Sequence, residues 1–210
     1  MHLIFDFDGT LVDSFCCVID VFNALAVDFN FRKIAQDEVD GLRDLTAKEL
    51  IKSLNIPIYK LPAVLYKAKI YMRNEMHHLK PFLDIPQALH ELYDSGFYLG
   101  IVTSNSEQNV TSWLSDHEIS SYFNFFHSAP NYLGKGKTLK KIMGINKLDE
   151  KTACYIGDET RDIEAAKQCG IPSIAVTWGF NSEKIISEHK PHYLVRKPED
   201  ILKIFQGVKE

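Results

Sequence analysis

From Tyr98 onward, short apolar runs alternate with segments whose apolar residues recur at helical spacing, a pattern best accommodated by a parallel sheet covered on both faces. Strands are expected at Tyr98 to Val102, Phe123 to His127, Ala153 to Ile156, Ser173 to Thr177 and Tyr193 to Val195. Between them, Val110 with Leu114, Leu139 with Ile142 and Met143, and Ile163 with Ala166 each mark one face of a helix. Gly144 and Gly170 read as helix ends. The run His2 to Phe7 predicts a further buried strand, closed by the turn Asp8-Gly9-Thr10. The pattern then changes. Val18, Val21, Phe22 and Leu25, then Leu45, Leu50, Ile51 and Leu54, then Val64, Leu65, Ala68 and Tyr71 follow helical spacing without a convincing strand. A discontinuous α/β domain, residues 1–13 and 80–210, is therefore expected to carry an all-helical insertion, residues 14–79, after its first strand.

A chain of 210 residues has room for that arrangement and not for many modules. Its 45% apolar and 25% charged residues exclude a disordered chain. With 24 basic against 28 acidic residues the net charge is -4, which argues against nucleic acid or an anionic membrane as partner. No apolar run approaches the ~20 residues of a membrane span. The four cysteines, Cys16, Cys17, Cys154 and Cys169, lack C-x-x-C spacing, and the first residues lack a secretory pattern. A cytoplasmic location follows as the expectation.

Ligands of open parallel sheets bind beyond the carboxyl ends of the strands, and three polar clusters fall there. Asp6 and Asp8, two apart at the end of the first strand, suit a nucleophile with a proton donor, or a metal site, against the plainer reading of an acidic turn cap. Asp158 and Asp162 stand four apart where a strand passes through Gly157 into a helix. Without His or Cys nearby, such oxygen ligands suit Mg2+, although acids are common in any first helical turn. Thr103-Ser104-Asn105 and the Lys135 of Gly134-Lys135-Gly136-Lys137-Thr138 could hold a phosphate. Taken singly, Ser104 also reads as a helix N-cap and Lys135 as a solvated charge. The last segment is not a P-loop, which would need glycine where this chain has Asn131.

The pieces D-F-D-G-T-L at Asp6 to Leu11, I-V-T-S-N at Ile101 to Asn105, G-K at Gly134 and Lys135, and G-D-E-T-R-D at Gly157 to Asp162, in this order, resemble the haloacid-dehalogenase-like (HAD) hydrolase superfamily. A-A-K-Q-C-G-I-P after Asp162 and V-T-W-G-F-N from Val176 resemble its phosphoglycolate-phosphatase-like branch. The resemblance implies a Rossmann-like core with a helical cap, and a Mg2+-dependent phosphatase acting on a small phosphorylated metabolite. It implies that Asp6 forms an aspartyl-phosphate while Asp8 protonates the leaving oxygen and later activates water. Mg2+ would be held by Asp6, the Asp8 backbone carbonyl and Asp158, with Asp162 ordering a metal-bound water. Ser104 and Lys135, with Thr103 and Asn105 beside them, would bind the phosphoryl group, Lys137 being the rival to Lys135. Asp8 is similar to the phosphatases and phosphomutases of the superfamily and unlike its phosphonatase and dehalogenase branches. Asp84 departs from the pattern, since related chains often carry glycine there.

Within the insertion, Arg43 of G-L-R-D-L-T is the expected reader of a substrate carboxylate, its alternative being a solvated side chain or one paired with Asp44 or Glu49. A sugar-phosphate phosphomutase is the alternative enzyme, and a phospho-accepting regulatory or binding module the alternative of another class. Either a monomer or a homodimer is compatible with the sequence.

Overall fold

The computed structural model describes residues 1–128 and 134–207. Asn131 and the rest of 129–133, and residues 208–210 of the expected core, lie outside the described residues. Six parallel strands, β1 (His2–Phe5), β2 (Tyr98–Thr103), β3 (Phe123–Ser128), β4 (Ala153–Gly157), β5 (Ser173–Val176) and β6 (Tyr193–Val195), form one sheet in the order β3-β2-β1-β4-β5-β6. The chain order reverses at β1, so the carboxyl ends of β1, β2 and β4 border the crevice where sheets of this kind bind ligands. Phe5 pairs with Ile101 on one side and Ile156 on the other, which delivers Asp6 to the centre of that crevice. The Asp6 amide donates to the Ile156 carbonyl at 2.8 Å, holding the backbone in register just past the strand.

Alternation along each strand divides the core into two layers. Leu3, Phe5, Leu99, Ile101, Cys154 and Ile156 belong to a cluster that continues into the inserted helices. Ile4, Val102 and Tyr155 face the opposite layer, where they meet α7 (Lys135–Ile145) and α8 (Thr160–Cys169). This two-sided burial is why the strands read as apolar runs.

Five helices lie between β1 and β2: α1 (Phe15–Phe29), α2 (Val39–Leu42), α3 (Ala47–Ser53), α4 (Leu61–Glu75) and α5 (Ile85–Asp94). Thr46 and Glu49 cap α3 reciprocally, and Pro62 occupies the first turn of α4, where a missing N–H costs nothing. α1 packs on α4 through an apolar interior that includes Leu25 and Val64, both fully buried. The remaining helices are α6 (Glu107–Asp116), α9 (Glu183–Glu188) and α10 (Asp200–Gln206). No helix among the described residues is long and apolar enough to cross a membrane.

Three local features differ from, or complete, the sequence reading. β1 ends at Phe5, not Phe7, because the chain turns at once: the amides of Thr10, Leu11 and Val12 all donate to the Phe7 carbonyl. Phe7 is apolar because it is buried against Trp113, not because it is in a strand. α7 continues through Gly144 and stops at Asn146, whose side chain donates back to the Ile142 carbonyl at 2.9 Å. Asp84 precedes α5 with φ +65°, the left-handed conformation in which glycine is at ease and Asp is tolerated.

The two connections of the insertion run side by side. Val12 bridges Pro81, the Asp13 amide donates to the Lys80 carbonyl, and the Phe82 amide to that of Leu11. Trp113 fastens this junction, with its ring edge-on to Phe7 and its Nε1 donating to the Leu79 carbonyl at 2.8 Å. Trp113→Phe deletes the donor and leaves that carbonyl without it, so urea denaturation should show stability lower by about 1–3 kcal/mol. An unchanged midpoint and slope would show that the bond contributes nothing.

Candidate active site

Asp6, Asp158 and Asp162 are almost inaccessible to solvent, and Asp8 is half-buried beside them. The crowding depends on glycine. Gly9 adopts φ +77°, and a Cβ there would stand 2.2 Å from Asp158 Oδ2. A Cβ on Gly157 would meet the Asp162 carboxylate at 2.3 Å. Carboxylates packed this closely need compensating charge.

Lys135 supplies part of it. Its side chain, 8% exposed, sends Nζ to Asp6 Oδ2 at 2.6 Å and also to Asp162 Oδ1, and the same ammonium stands 5.2 Å above the Tyr155 ring. Burial works against the charge, but Asp162 and Asp6 outweigh it and hold the lysine pKa well above its ordinary value. Lys137 is exposed.

Asp158 accepts from the Thr10 hydroxyl and from the Phe180 amide, both at 2.7 Å. Burial, then the charges of Glu159, Asp162 and Asp6, push its pKa well up. Burial likewise raises Asp162 to about 6, against the lowering influence of Lys135. Burial is the largest cause of both shifts, and the neighbouring carboxylates add to it.

The carboxylates of Asp6, Glu159 and Asp162 each bring an oxygen within 4.8 Å of the others, a grouping that could hold a metal ion. An all-oxygen donor set of carboxylates, with fully buried Asp158 adjoining, fits Mg2+ and does not suit zinc. Glu159 was not singled out in the sequence. Glu159 is the N-cap of α8, where an acidic residue has an ordinary explanation, and only the fold reveals its approach to Asp6.

Asp8 is clamped from two directions. Ser14, at the start of the insertion, donates to Oδ1 at 3.0 Å, and Asn105, after β2, donates to Oδ2 at 2.8 Å. Burial, followed by the Asp6 charge, raises the Asp8 pKa to about 6. Asn105 is in turn fixed by Asn109, which donates to its Oδ1 at 2.8 Å. The Thr103 hydroxyl accepts the Asn105 amide at 3.0 Å and so shapes the turn. Ser104 borders the cavity described next, and the N-cap of α6 is Ser106, so capping does not account for Ser104.

A cavity of about 170 Å3 opens over Asp8. Val18, Phe22, Leu45, Leu50, Leu65 and Met72 of the insertion supply apolar wall, while Ser104, Asn105, Arg161 and Lys69 add polar groups. Arg43 is not among the residues that line the cavity, although Phe15, Asn181 and its chain neighbours Leu42 and Leu45 are. Its guanidinium stacks on the Phe15 ring at 4.0 Å and donates to the Gly179 carbonyl, while its own carbonyl accepts from Ser182 and Asn181. Neither Asp44 nor Glu49 is its ion-pair partner: Asp44 meets Ser182 and Lys184, and Glu49 caps α3.

A sequence profile described as haloacid dehalogenase-like hydrolase matches residues 3–176. The chain belongs to that family. A phosphoglycolate phosphatase of Synechococcus elongatus is 32% identical over 200 residues, covering 95% of this chain and 94% of that protein. A phosphoglycolate phosphatase of Aquifex aeolicus is 24% identical over 222 residues, covering 98% and 96%. Among solved structures, a haloacid dehalogenase-like family hydrolase from Streptococcus pneumoniae superposes with a TM-score of 0.82 at 23% identity, covering 98% of both chains. That similarity extends the fold match to the inserted helices.

In this haloacid dehalogenase-like hydrolase the two lysines of the third motif differ in consequence. Lys135→Ala should lower kcat/KM by about 100-fold or more, because it removes a charge poised on Asp6, whereas Lys137→Ala should stay near the parent value. Steady-state kinetics of the two variants side by side decides it, and a larger loss at Lys137 would contradict the placement.

Proposed function

We propose that the chain is a Mg2+-dependent phosphatase that hydrolyses a small phosphorylated metabolite through an aspartyl-phosphate on Asp6, with a substrate like the phosphoglycolate of its curated relatives' names. The observation that carries this reading is the placement of Asp6: buried at the centre of the sheet, with Lys135 against one oxygen and Asp8 held beside it by Ser14 and Asn105. In this reading residues 1–13 and 80–210 act as the core and 14–79 as the cap.

Asp6 attacks phosphorus as the bond to the leaving oxygen breaks, and Asp8 gives that oxygen its proton. Asp8, now a carboxylate, takes a proton from water as the water attacks the phosphoryl group, which restores Asp6 and releases phosphate. Lys135 and the Ser104 hydroxyl hold phosphoryl oxygens, and Asn105 and Thr103 keep Asp8 and the loop after β2 in place. Asp6, Asp158, Asp162 and the Asp8 carbonyl, with Glu159 adjoining, would hold Mg2+. When bound, the cation neutralises charge that would otherwise repel the substrate from the carboxylates.

The apolar wall favours hydrolysis of a small ester over sugar-phosphate mutase chemistry, since sugar hydroxyls would lose water without gaining partners against Val18, Leu45 and Leu50. A phospho-accepting regulatory module would need neither the clamped Asp8 nor an enclosed cavity.

Asp6→Asn, which preserves size, should fold normally and lower kcat on p-nitrophenyl phosphate by on the order of 1,000-fold or more. Excess chelator should stop the parent protein and Mg2+ restore it, with Ca2+ supporting little activity. Parent-like turnover by the folded Asn variant, or full activity in chelator, would refute the proposal.

A further inference from the structure

Resting on the phosphatase reading, we propose that Arg161 of the core and Lys69 of the inserted helices together form the seat for a carboxylate on the leaving group. Both side chains border the cavity over Asp8, and they enter it from different parts of the fold. Arg161 comes from the first turn of α8 with its side chain 21% exposed, and Glu159 accepts from its Nε, which orients the guanidinium plane. Lys69 comes from α4, spaced four residues after Leu65 and three before Met72, so it shares their cavity-facing stripe. Lys69 and Asp8 border the same cavity, where burial lowers the lysine pKa and the Asp8 charge works against that lowering.

The surroundings narrow the ligand. Arg161 and Lys69 are the two cations of a wall that is largely apolar and that also carries the Asp8 and Glu159 carboxylates, and an anion set between the two cations gains from the low local dielectric. The apolar residues Val18, Leu45 and Leu50 leave much of the wall without partners for a string of hydroxyls, so the leaving group should be a short carbon unit ending in an anion. The cavity of about 170 Å3 fits such a unit. A guanidinium fork matches a carboxylate with two parallel bonds, and the ammonium of Lys69, from another helix, adds a point charge. Substrate bound this way would bridge core and insertion, drawing them together when the anion is present. Arg43 is the less suited arginine, because it is not among the residues that line the cavity.

The experiment compares 2-phosphoglycolate with 2-hydroxyethyl phosphate, a neutral ester of the same length, and includes pyrophosphate as a third substrate. The parent protein should prefer 2-phosphoglycolate. In Arg161→Gln and in Lys69→Gln the ratio of kcat/KM for 2-phosphoglycolate to that for the neutral ester should fall by about 10- to 100-fold, chiefly through KM, with a larger fall in the double variant. Arg43→Gln should leave that ratio within about threefold of the parent, since it deletes no ligand contact in this account. Should Arg161→Gln fail to fold, Lys69→Gln on the half-exposed helix decides the question alone. Glycolate as a competitive inhibitor gives a second readout, its inhibition weakening in both variants.

A ratio unchanged in the folded variants, or a parent protein without preference for the carboxylated ester, would overturn the assignment. So would a loss confined to pyrophosphate, which would make the seat a phosphate reader. If the neutral ester is still hydrolysed in an Asp6-dependent manner, the phosphatase reading survives that failure. If neither ester is hydrolysed through Asp6, both fall.

Discussion

Concentrated negative charge at the centre of the sheet is the constraint around which the rest of the molecule is arranged. Asp6, Asp158 and Asp162 are withdrawn from water, and the Lys135 ammonium stands between two of them. Removing the lysine from such a buried group costs about 3–5 kcal/mol, because the carboxylates left behind lose their partner. The parallel topology makes the cluster possible, since the reversal of strand order at β1 brings three strand ends to one point. Gly9 and Gly157 allow the backbone to approach where any Cβ would collide with a carboxylate. A site so rich in acid suits a divalent cation and a dianionic phosphoryl group bound together, each offsetting the charge of the other or of the protein.

The helical insertion is tied to Asp8 by a polar link at its first residue as well as to the core by apolar packing. Ser14 opens the insertion and donates to Asp8, while Asn105 donates from the loop after β2. The paired connections Leu11 to Asp13 and Lys80 to Phe82 form a short two-stranded junction, and Arg43 and Asp44 make a second contact with Gly179 to Lys184. A cavity walled by the insertion and floored by the core then separates two tasks. The strand ends handle the phosphoryl group, and the insertion decides what else can enter.

Much of this was legible in the sequence, for identifiable reasons. Burial on both faces of a parallel sheet leaves apolar runs, so five of the six strands could be placed closely, and the insertion announced itself by a change of period. The first strand was read two residues too long because Phe7 is buried in a turn, and burial alone does not distinguish turn from strand. Asp6, Asp8, Asp158, Asp162 and Lys135 all fall in one neighbourhood. Glu159 and Arg161 were read only as part of G-D-E-T-R-D, because an acid at a helix N-cap has an ordinary explanation and no local pattern joins Arg161 to the cavity. Asn105 was read as a phosphate neighbour, and its bond to Asp8 spans 97 positions of sequence that only the fold brings together. Lys69 did leave a signal, a lysine on the stripe of Leu65 and Met72, where an apolar side chain would be expected. Arg43 was singled out from its loop, but its partners, Phe15 and Gly179, come from segments that no local pattern connects to it.

The account stands or falls on covalent chemistry at Asp6. Acid-quenching the protein during turnover of a phosphate ester, followed by peptide mass spectrometry, tests this directly. The account predicts one phosphoryl group on the peptide that carries Asp6, converted by borohydride reduction to homoserine at that position and absent from Asp6→Asn. A phosphoryl group found on a serine or histidine instead, or turnover with no covalent phosphate under conditions that trap acyl phosphates, would contradict it.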